Sequence, residues 1–191
     1  MKNKLDKQMV PIQKLVGQHI LYCYKDSHFY IENAVSFILT GIKQGDYVVV
    51  IENDRLFRLI DEKVKTQLRK GQLNQINYVN NFDFYFSNGD FHTPTIISSF
   101  ATILDSVYAK RKSIRTWAHV EWGNLQEITC KIIDFEVAAN QTVHSMNTTS
   151  VCAYDVDRLS EPLKESLMRS HPYQLTDDGV ICSTDHQKFF K

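Results

Sequence analysis

The stretch FILTGIKQGDYVVVIEND, residues 37–54, decides the fold class of this chain. It begins as the end of an amphipathic helix and turns through a Gly-x-x-x-Gly-Asp sequence at residues 41–46. The run YVVVI at 47–51 is apolar and mostly β-branched, which is typical of a strand covered on both faces in a parallel sheet. Acidic residues follow where the strand ends. A helix, a glycine turn and a buried strand in this order predict an α/β protein.

The same alternation of strands and helices extends along the rest of the chain. The run HILYCY at 19–24 predicts a strand, and the helix after it carries Ile31, Val35, Ile38 and Ile42 on one face. Repeated strand-helix-strand order predicts an α/β three-layer sandwich with a mostly parallel central sheet. Further strands are predicted at 76–79, 114–120, 149–154 and 179–183, and further helices at about 55–69, 93–107, 124–144 and 160–170.

The size and charge of the chain restrict the kind of protein that it is. With 191 residues, of which 43% are hydrophobic, we expect a single domain at 18–191 after an N-terminal arm at 1–17. The 22 basic residues balance the 22 acidic ones, which argues against direct binding to nucleic acid. The chain has no apolar run near ~20 residues and no hydrophobic signal core, so no membrane partner and a cytoplasmic location are expected. The PIQKLV stretch at 11–16 either pairs subunits in a homodimer or covers an edge of the sheet.

The first predicted strand is not followed by a phosphate-binding loop. A P-loop needs glycines and a Lys-Ser/Thr pair between the strand and its helix, so that backbone amides and the lysine hold the phosphates. Here the sequence CYKDSHFY, residues 23–30, contains no glycine, and Asp26 adds negative charge. Lys25 and Ser27 are able to contact an anion beside the helix N-terminus. We favour Asp26 or Ser27 as the helix N-cap and do not expect conventional ATP hydrolysis.

Several segments resemble the MEDS domain, a sensory domain named from methanogens, methylotrophs and the regulator DcmR. The resemblance implies a RecA/KaiC-like fold that lacks the P-loop, and a sensory or regulatory domain for small ligands such as hydrocarbon derivatives. In that family the domain is often joined to a DNA-binding helix-turn-helix or to a histidine kinase. Because the sensor takes up these 191 residues, a stand-alone sensor is expected here. The segments that carry the resemblance are 19–54, EWG at 121–123, IIDFEVAAN at 132–140, VCAYDVDRLS at 151–160 and SHP at 170–172.

Ligands of parallel α/β sheets bind at the carboxyl ends of the strands, so the residues after each predicted strand are the candidates for a binding site. If the resemblance holds, Glu121 lies where related ATPases keep a Walker B or catalytic carboxylate. It either orients a ligand or bonds to a neighbouring loop or helix end. Glu52 is alternatively a solvated surface charge, Trp122 part of the core, and Asp155 a turn residue. The expected ligand-binding residues are Tyr24, Lys25, Asp26, Ser27, Glu52, Glu121, Trp122, Tyr154 and Asp155.

The sequence contains no recognisable motif for a metal, a cofactor or a catalytic nucleophile. The seven histidines have none of the spacings of the common zinc motifs, and no Gly-x-Ser-x-Gly sequence occurs. His19 and His171 are expected to be structural, and Glu136 to bond to a loop or to face solvent. We therefore expect no metal, no cofactor and no enzyme activity. The cysteines, expected as buried structural thiols, are Cys23, Cys130, Cys152 and Cys182.

Three functional hypotheses follow. The favoured one is a sensor in which a small, partly apolar ligand enters under the aromatic segment NNFDFYFSNGDFH at 80–92, which is either a loop over the core or a lid. This sensor signals through a partner such as a histidine kinase or a transcription regulator. The second hypothesis is a ligand-free protein-interaction module, whose cleft is filled by its own aromatic residues. The third is an enzyme on a RecA-like frame, either an atypical nucleotide-binding protein or a hydrolase that uses Glu121.

Overall fold

A seven-stranded sheet forms the centre of the protein in a computed structural model, which describes residues 17–108, 113–123, 128–176 and 179–182. The strand order is β3-β2-β4-β5-β1-β6-β7, and every neighbouring pair is parallel except β6 and β7. The predicted mostly parallel α/β sheet is therefore confirmed. The strands are β1 (His19–Tyr24), β2 (Tyr47–Glu52), β3 (Ile76–Asn80), β4 (Ile114–His119), β5 (Thr149–Asp155), β6 (Tyr173–Thr176) and β7 (Gly179–Cys182).

Helices cover both faces of this sheet, as predicted. Two of them, α1 (Ser27–Gln44) and α2 (Asp54–Lys65), pack on one face and form one hydrophobic core with it. The opposite face carries a second core formed by later helices. A 3-10 helix at Val156–Arg158 follows β5. The remaining helices are α3 (Lys70–Leu73), α4 (Asn81–Tyr85), α5 (Thr93–Tyr108), α6 (Ile128–Ser145) and α7 (Glu161–Ser170).

The glycines and the aspartate of the opening stretch have separate structural roles. Gly45 ends α1 in a left-handed conformation with φ 87°. Gly41 lies so close to Arg115 that an added Cβ would be 2.5 Å from the Cδ of that arginine. Asp46 then accepts a hydrogen bond of 2.7 Å from the Nε of Arg115. The turn therefore connects the end of α1 to β4 as well as to β2.

The structure corrects the predicted elements at several places. The sequence did not predict β6. The helix predicted at 55–69 ends at Lys65, and Gly71 lies inside the short α3 instead of ending the preceding helix. Part of the 80–92 segment is the helix α4, and its Phe84 and Tyr85 are buried in the core. This part of the segment therefore lies over the core, as a helix and not as a loop.

Some predictions concern residues outside the described ranges. The N-terminal arm is among them apart from Gly17, as are the first residues of the helix predicted from 124. None of the helices in the described ranges combines the length and the apolar character that a membrane span needs.

Candidate functional site

A buried hydrogen-bond network lies at the carboxyl ends of β1, β2 and β4. Its centre is His119, whose Nε2 is 2.8 Å from the hydroxyl of Tyr24 and whose Nδ1 is 2.6 Å from Glu52 Oε1. Tyr30 of α1 donates its hydroxyl hydrogen to Glu52 Oε2 and accepts a hydrogen bond of 2.8 Å from Trp117 Nε1. We call these five residues the Glu52 network. It lies on the sheet face that α1 and α2 cover.

The polar atoms of the Glu52 network are already paired within the protein. Glu52 is 0% exposed, and its Oε1 also accepts hydrogen bonds from the backbone and side-chain nitrogens of Asn53, at 2.7 and 2.9 Å. Burial raises the pKa of Tyr24, and burial together with the Glu52 carboxylate raises the pKa of Tyr30, so both phenols stay protonated and donate. The alternative of Glu52 as a solvated surface charge is wrong. With its donors supplied internally, this network stabilises the strand ends and offers little to a ligand.

Glu121 and Trp122 lie nearby and form a clamp with Arg158 of the 3-10 helix. The guanidinium binds both carboxylate oxygens of Glu121, at 2.8 and 3.0 Å. Its Cζ lies 4.2 Å from the centre of the Trp122 ring. Glu121 thus joins the segment after β4 to the turn after β5, in agreement with the expectation that it bonds to a neighbouring loop. Arg158 was not among the expected site residues, although its position shortly after β5 was a usable signal.

The other expected site residues are distributed around the same edge of the sheet. Lys25, Asp26 and Ser27 are exposed, and Asp26 caps α1 by accepting from the amide of His28 at 2.7 Å. The preferred N-cap interpretation is therefore confirmed. Asp155 similarly accepts from the backbone of the 3-10 helix, which agrees with the turn interpretation. Tyr154 is buried on the opposite face of the sheet from Tyr24, so the nine expected residues do not form one group.

An aromatic cavity lies on that opposite face. Its volume is about 10 Å³, which is close to the space that one water needs. The hydroxyl of Tyr85 is buried and has no hydrogen-bond partner among the described residues, and burial raises its pKa far above the ordinary value. The walls of the cavity are mostly apolar. The cavity is lined by Ile51, Phe84, Tyr85, Phe100, Ala118, Phe135, Ala139, Ser150 and Cys152.

A second buried group, which we call the His19 cluster, consists of His19, Glu136, Cys152 and His171. The alternative of a solvent-facing Glu136 is wrong, because this residue is 1% exposed and accepts a hydrogen bond from Tyr154. His171 is 0% exposed and its Nδ1 is 2.8 Å from the carbonyl oxygen of Leu167. Cys152 is a buried thiol, as expected, whereas Cys130 is exposed. These residues belong to different parts of the chain, from β1 to the end of α7, so no local sequence pattern brings them together.

Burial dominates the electrostatics of the His19 cluster. It lowers the pKa of His19 to about 3, with a contribution from His171, so His19 is a neutral imidazole. Burial and the neighbouring Glu136 raise the pKa of the Cys152 thiol well above its ordinary range. Burial alone would raise the pKa of Glu136, but the attraction of His171 and the surrounding hydrogen bonds lower it overall. The cluster thus holds one carboxylate beside two imidazoles and a thiol.

The fold and the sequence can now be compared with known proteins. A KaiC-like protein from the archaeon Pyrococcus horikoshii OT3 has a similar structure, with a TM-score of 0.52 and 14% identity over 83% of this chain and 71% of that one. This similarity confirms a RecA/KaiC-like fold. An ATPase from the type III secretion system of pathogenic bacteria aligns with a TM-score of 0.46 and 8% identity, over 83% of this chain and 50% of that one.

The sequence matches one known protein family. No curated protein matches the chain significantly. Residues 18–172 match the family described as the methanogen/methylotroph, DcmR sensory domain. As the match spans most of the chain and agrees with the predicted resemblance, this protein belongs to the MEDS family of sensory domains.

Proposed function

We propose that the protein senses a small, mostly apolar ligand, such as a hydrocarbon derivative, in the aromatic cavity and transmits this binding to a signalling partner. Membership of a sensory family supports the signalling role. The observation that carries the choice of site is that Tyr85 lines the mostly apolar cavity and has a buried hydroxyl without a hydrogen-bond partner among the described residues. A ligand with one oxygen or nitrogen acceptor would accept this hydrogen bond and leave its hydrocarbon part against the aromatic rings.

The energetics favour such a ligand. A buried donor without a partner costs about 1–3 kcal/mol, and a ligand acceptor would remove that cost. The apolar part of the ligand would gain roughly 25 cal/mol for each Å² that leaves water. The rings of Phe84, Phe100 and Phe135 provide this apolar surface. A short alcohol, ketone or halogenated hydrocarbon has the required combination of size and polarity.

The small volume of the cavity couples binding to a conformational change. Because the free space is close to that of one water, a larger ligand must displace a wall, and α4 is a wall of only five residues. The outer side of this helix carries Phe82, which is 59% exposed and stacks on Phe86 with ring centres 4.8 Å apart. Displacement of α4 would move this aromatic surface. We propose that the surface contacts the partner, a histidine kinase or a transcription regulator.

A thermal-shift and native mass spectrometry screen of short alcohols, ketones and halogenated hydrocarbons tests the proposal. We expect at least one compound to raise the melting temperature. Tyr85→Phe, which removes only the hydroxyl, should weaken its binding about 3- to 10-fold. Tyr78→Phe is the matched control, because the hydroxyl of Tyr78 bonds to Asp54 and Tyr78 does not line the cavity. Equal binding by Tyr85→Phe and the wild type would overturn the choice of cavity.

The near-complete filling of the cavity favours one alternative, a ligand-free interaction module. In that case every compound in the screen would leave the melting temperature unchanged. A nucleotide-binding enzyme is less consistent with the site, since Asp26 occupies the free amides at the start of α1 that a phosphate would need. A stabilising effect of ATP with magnesium would favour the enzyme.

A further inference from the structure

The His19 cluster brings together four metal-binding side chains from distant parts of the chain. His19 begins β1, Cys152 lies within β5, Glu136 projects from α6, and His171 directly follows α7. One nitrogen, sulfur or oxygen atom of each residue lies within 4.8 Å of those of the other three, and all four residues are buried. His19 Nε2 is 3.0 Å from Cys152 Sγ and 3.4 Å from Glu136 Oε2. His171 Nε2 is 3.1 Å from the same Glu136 oxygen.

The hydrogen bonds around the cluster leave three of its buried atoms without a partner among the described residues: His19 Nδ1, Glu136 Oε2 and His171 Nε2. His171 Nδ1 faces the carbonyl oxygen of Leu167, which can only accept, so this ring nitrogen carries a hydrogen and Nε2 keeps its lone pair in the neutral ring. Glu136 Oε2 is also an acceptor. Among the described residues neither atom has a hydrogen-bond partner, although they are only 3.1 Å apart. A positive charge between these two atoms, either a proton on His171 Nε2 or a bound metal ion, makes this close approach favourable.

We propose that His19, Glu136, Cys152 and His171 bind one divalent transition-metal ion, with zinc as the best match. Imidazole nitrogen, thiolate sulfur and carboxylate oxygen are each zinc ligands, and four of them match the coordination number of a closed tetrahedral zinc site. Bonds of about 2.0–2.3 Å in a tetrahedron place the ligand atoms about 3.3–3.8 Å apart. Three of the six distances between ligand atoms, 3.0–3.4 Å, lie within a few tenths of an ångström of that range, and all six are within 4.8 Å, so shifts of up to about 1 Å complete the tetrahedron.

Charge balance supports the same assignment. On binding, the Cys152 thiol gives its proton to solvent and its sulfur forms a bond to the metal. The thiolate and the Glu136 carboxylate then neutralise the two positive charges of the ion, and both imidazoles remain neutral. A buried site without net charge avoids the large cost of an uncompensated ion in the protein interior.

Neighbouring groups orient His171 and Glu136 as they do in known metal sites. The carbonyl oxygen of Leu167 fixes the ring of His171 so that its Nε2 points toward the cluster. Tyr154 donates to Glu136 Oε1, which leaves Oε2 for the metal. Tyr154 is therefore a positioning residue. Cys152 also lines the aromatic cavity, so the two sites share a wall, but the metal site does not depend on a ligand being bound in the cavity.

Cobalt substitution of the purified full chain tests the metal site directly. The protein is stripped with a chelator and titrated with Co²⁺ and then with Zn²⁺. We expect saturation at one equivalent, strong visible bands of tetrahedral cobalt, a thiolate-to-cobalt charge-transfer band, and loss of these signals when zinc displaces cobalt. A wild-type protein that binds no cobalt, or binds it without the charge-transfer band, would overturn the proposal, whatever the behaviour of the variants.

Cysteine variants locate the site. Cys152→Ser should abolish the charge-transfer band. Cys23→Ser should keep it, since Cys23 lies on β1 like His19 but is not in the cluster. Tyr154→Phe should keep the spectrum and weaken metal affinity about 10- to 100-fold, the usual effect of losing a group that orients a ligand. A band that survives in Cys152→Ser and disappears in Cys23→Ser would show that the cluster is not the binding site.

Metal analysis of the untreated protein distinguishes a metal site from a metal-free cluster whose side chains are joined by hydrogen bonds. About one zinc per chain, with a melting temperature that falls on chelation and recovers on zinc addition, supports the proposal. The aromatic cavity is tested separately by Tyr85→Phe, which should leave the cobalt spectrum intact. Failure of one proposal therefore does not imply failure of the other.

Discussion

Glu52 shows how a single residue at a strand end stabilises this protein. Its side chain has no contact with solvent and accepts hydrogen bonds from Tyr30, His119 and Asn53. These donors come from α1, from β4 and from the start of α2. The carboxylate therefore joins one helix layer to the sheet at a point where parallel strands end.

Glu52→Ala should lower the free energy of unfolding by about 3 kcal/mol, because it leaves several buried donors without an acceptor. Glu62→Ala removes an exposed carboxylate from α2 and should change the stability by less than about 0.5 kcal/mol. Urea unfolding followed by circular dichroism measures both. Similar midpoints for the two variants would contradict the role assigned to Glu52.

The buried phenols of Tyr24 and Tyr30 predict a loss of stability at alkaline pH. The folded-state pKa of each is raised above the ordinary value of about 10, so the folded protein holds these protons more tightly than the unfolded chain. Their contribution to stability is complete below about pH 10 and is lost as the pH rises toward the folded-state pKa values. Denaturant midpoints measured from pH 8 to pH 11 should fall above pH 10. The midpoint of Tyr24→Phe should fall less steeply with pH than that of the wild type. Identical slopes for the two proteins would contradict this contribution of Tyr24.

At the scale of elements, the junction of α1, β2 and β4 depends on close packing at one glycine. Arg115 of β4 passes beside Gly41 and forms an ion pair with Asp46, with its NH2 nitrogen 2.5 Å from Asp46 Oδ2. Gln44 also accepts from this arginine. The arginine is buried and held by several partners, so it has little freedom to move away from a larger residue at position 41.

Gly41→Ala should destabilise the protein by about 1–3 kcal/mol, because the new Cβ would lie 2.5 Å from Arg115 Cδ and 2.7 Å from Nε. Gly71→Ala in α3 is the matched control, since its Cβ would meet nothing within 4 Å. Alanine has the higher helix propensity, so this control should be neutral or slightly stabilising. Thermal unfolding of both variants checks the prediction, which a more stable Gly41→Ala would refute.

At the scale of the whole molecule, the sheet order places β2, β4, β5 and β1 in the middle and β3 and β7 at the edges. The middle strands are buried on both faces by two separate hydrophobic cores. In contrast, every residue of β3 is only partly buried. Resistance to local opening should therefore decrease from the centre of the sheet toward its edges.

Hydrogen exchange measured by mass spectrometry should reveal this gradient. Amides of β4 and β5 should exchange only through global unfolding, whereas those of β3 and β7 should exchange at least 10-fold faster. Peptides from the two groups of strands in one sample serve as internal controls. Equal protection across the sheet would mean that the edges open only together with the core.

The fold was largely predictable because its signals are local. The apolar runs of β1, β2, β4 and β5 identify buried strands, and Ser160 and Asp26 mark helix starts by their hydrogen bonds to backbone amides. The short strand β6 was missed because YQLT has little periodicity. In the aromatic segment, the turn-forming residues gave no helical pattern, so α4 was not predicted. Its burial depends on the helices that pack on it.

The sequence by itself determined the layer architecture, the missing phosphate loop and the family, because each depends on residue types at short, ordered spacings. Only the tertiary structure decided which side chains meet. Side chains alternate between the two faces of a strand, so Tyr24 and Tyr154 point to different cores even though their strands are neighbours. His19 and Cys152, which are 133 residues apart, come within 3.0 Å only because β1 pairs with β5. No local sequence pattern predicts the pairing of β1 with β5, since it results from packing of the complete sheet between its helix layers.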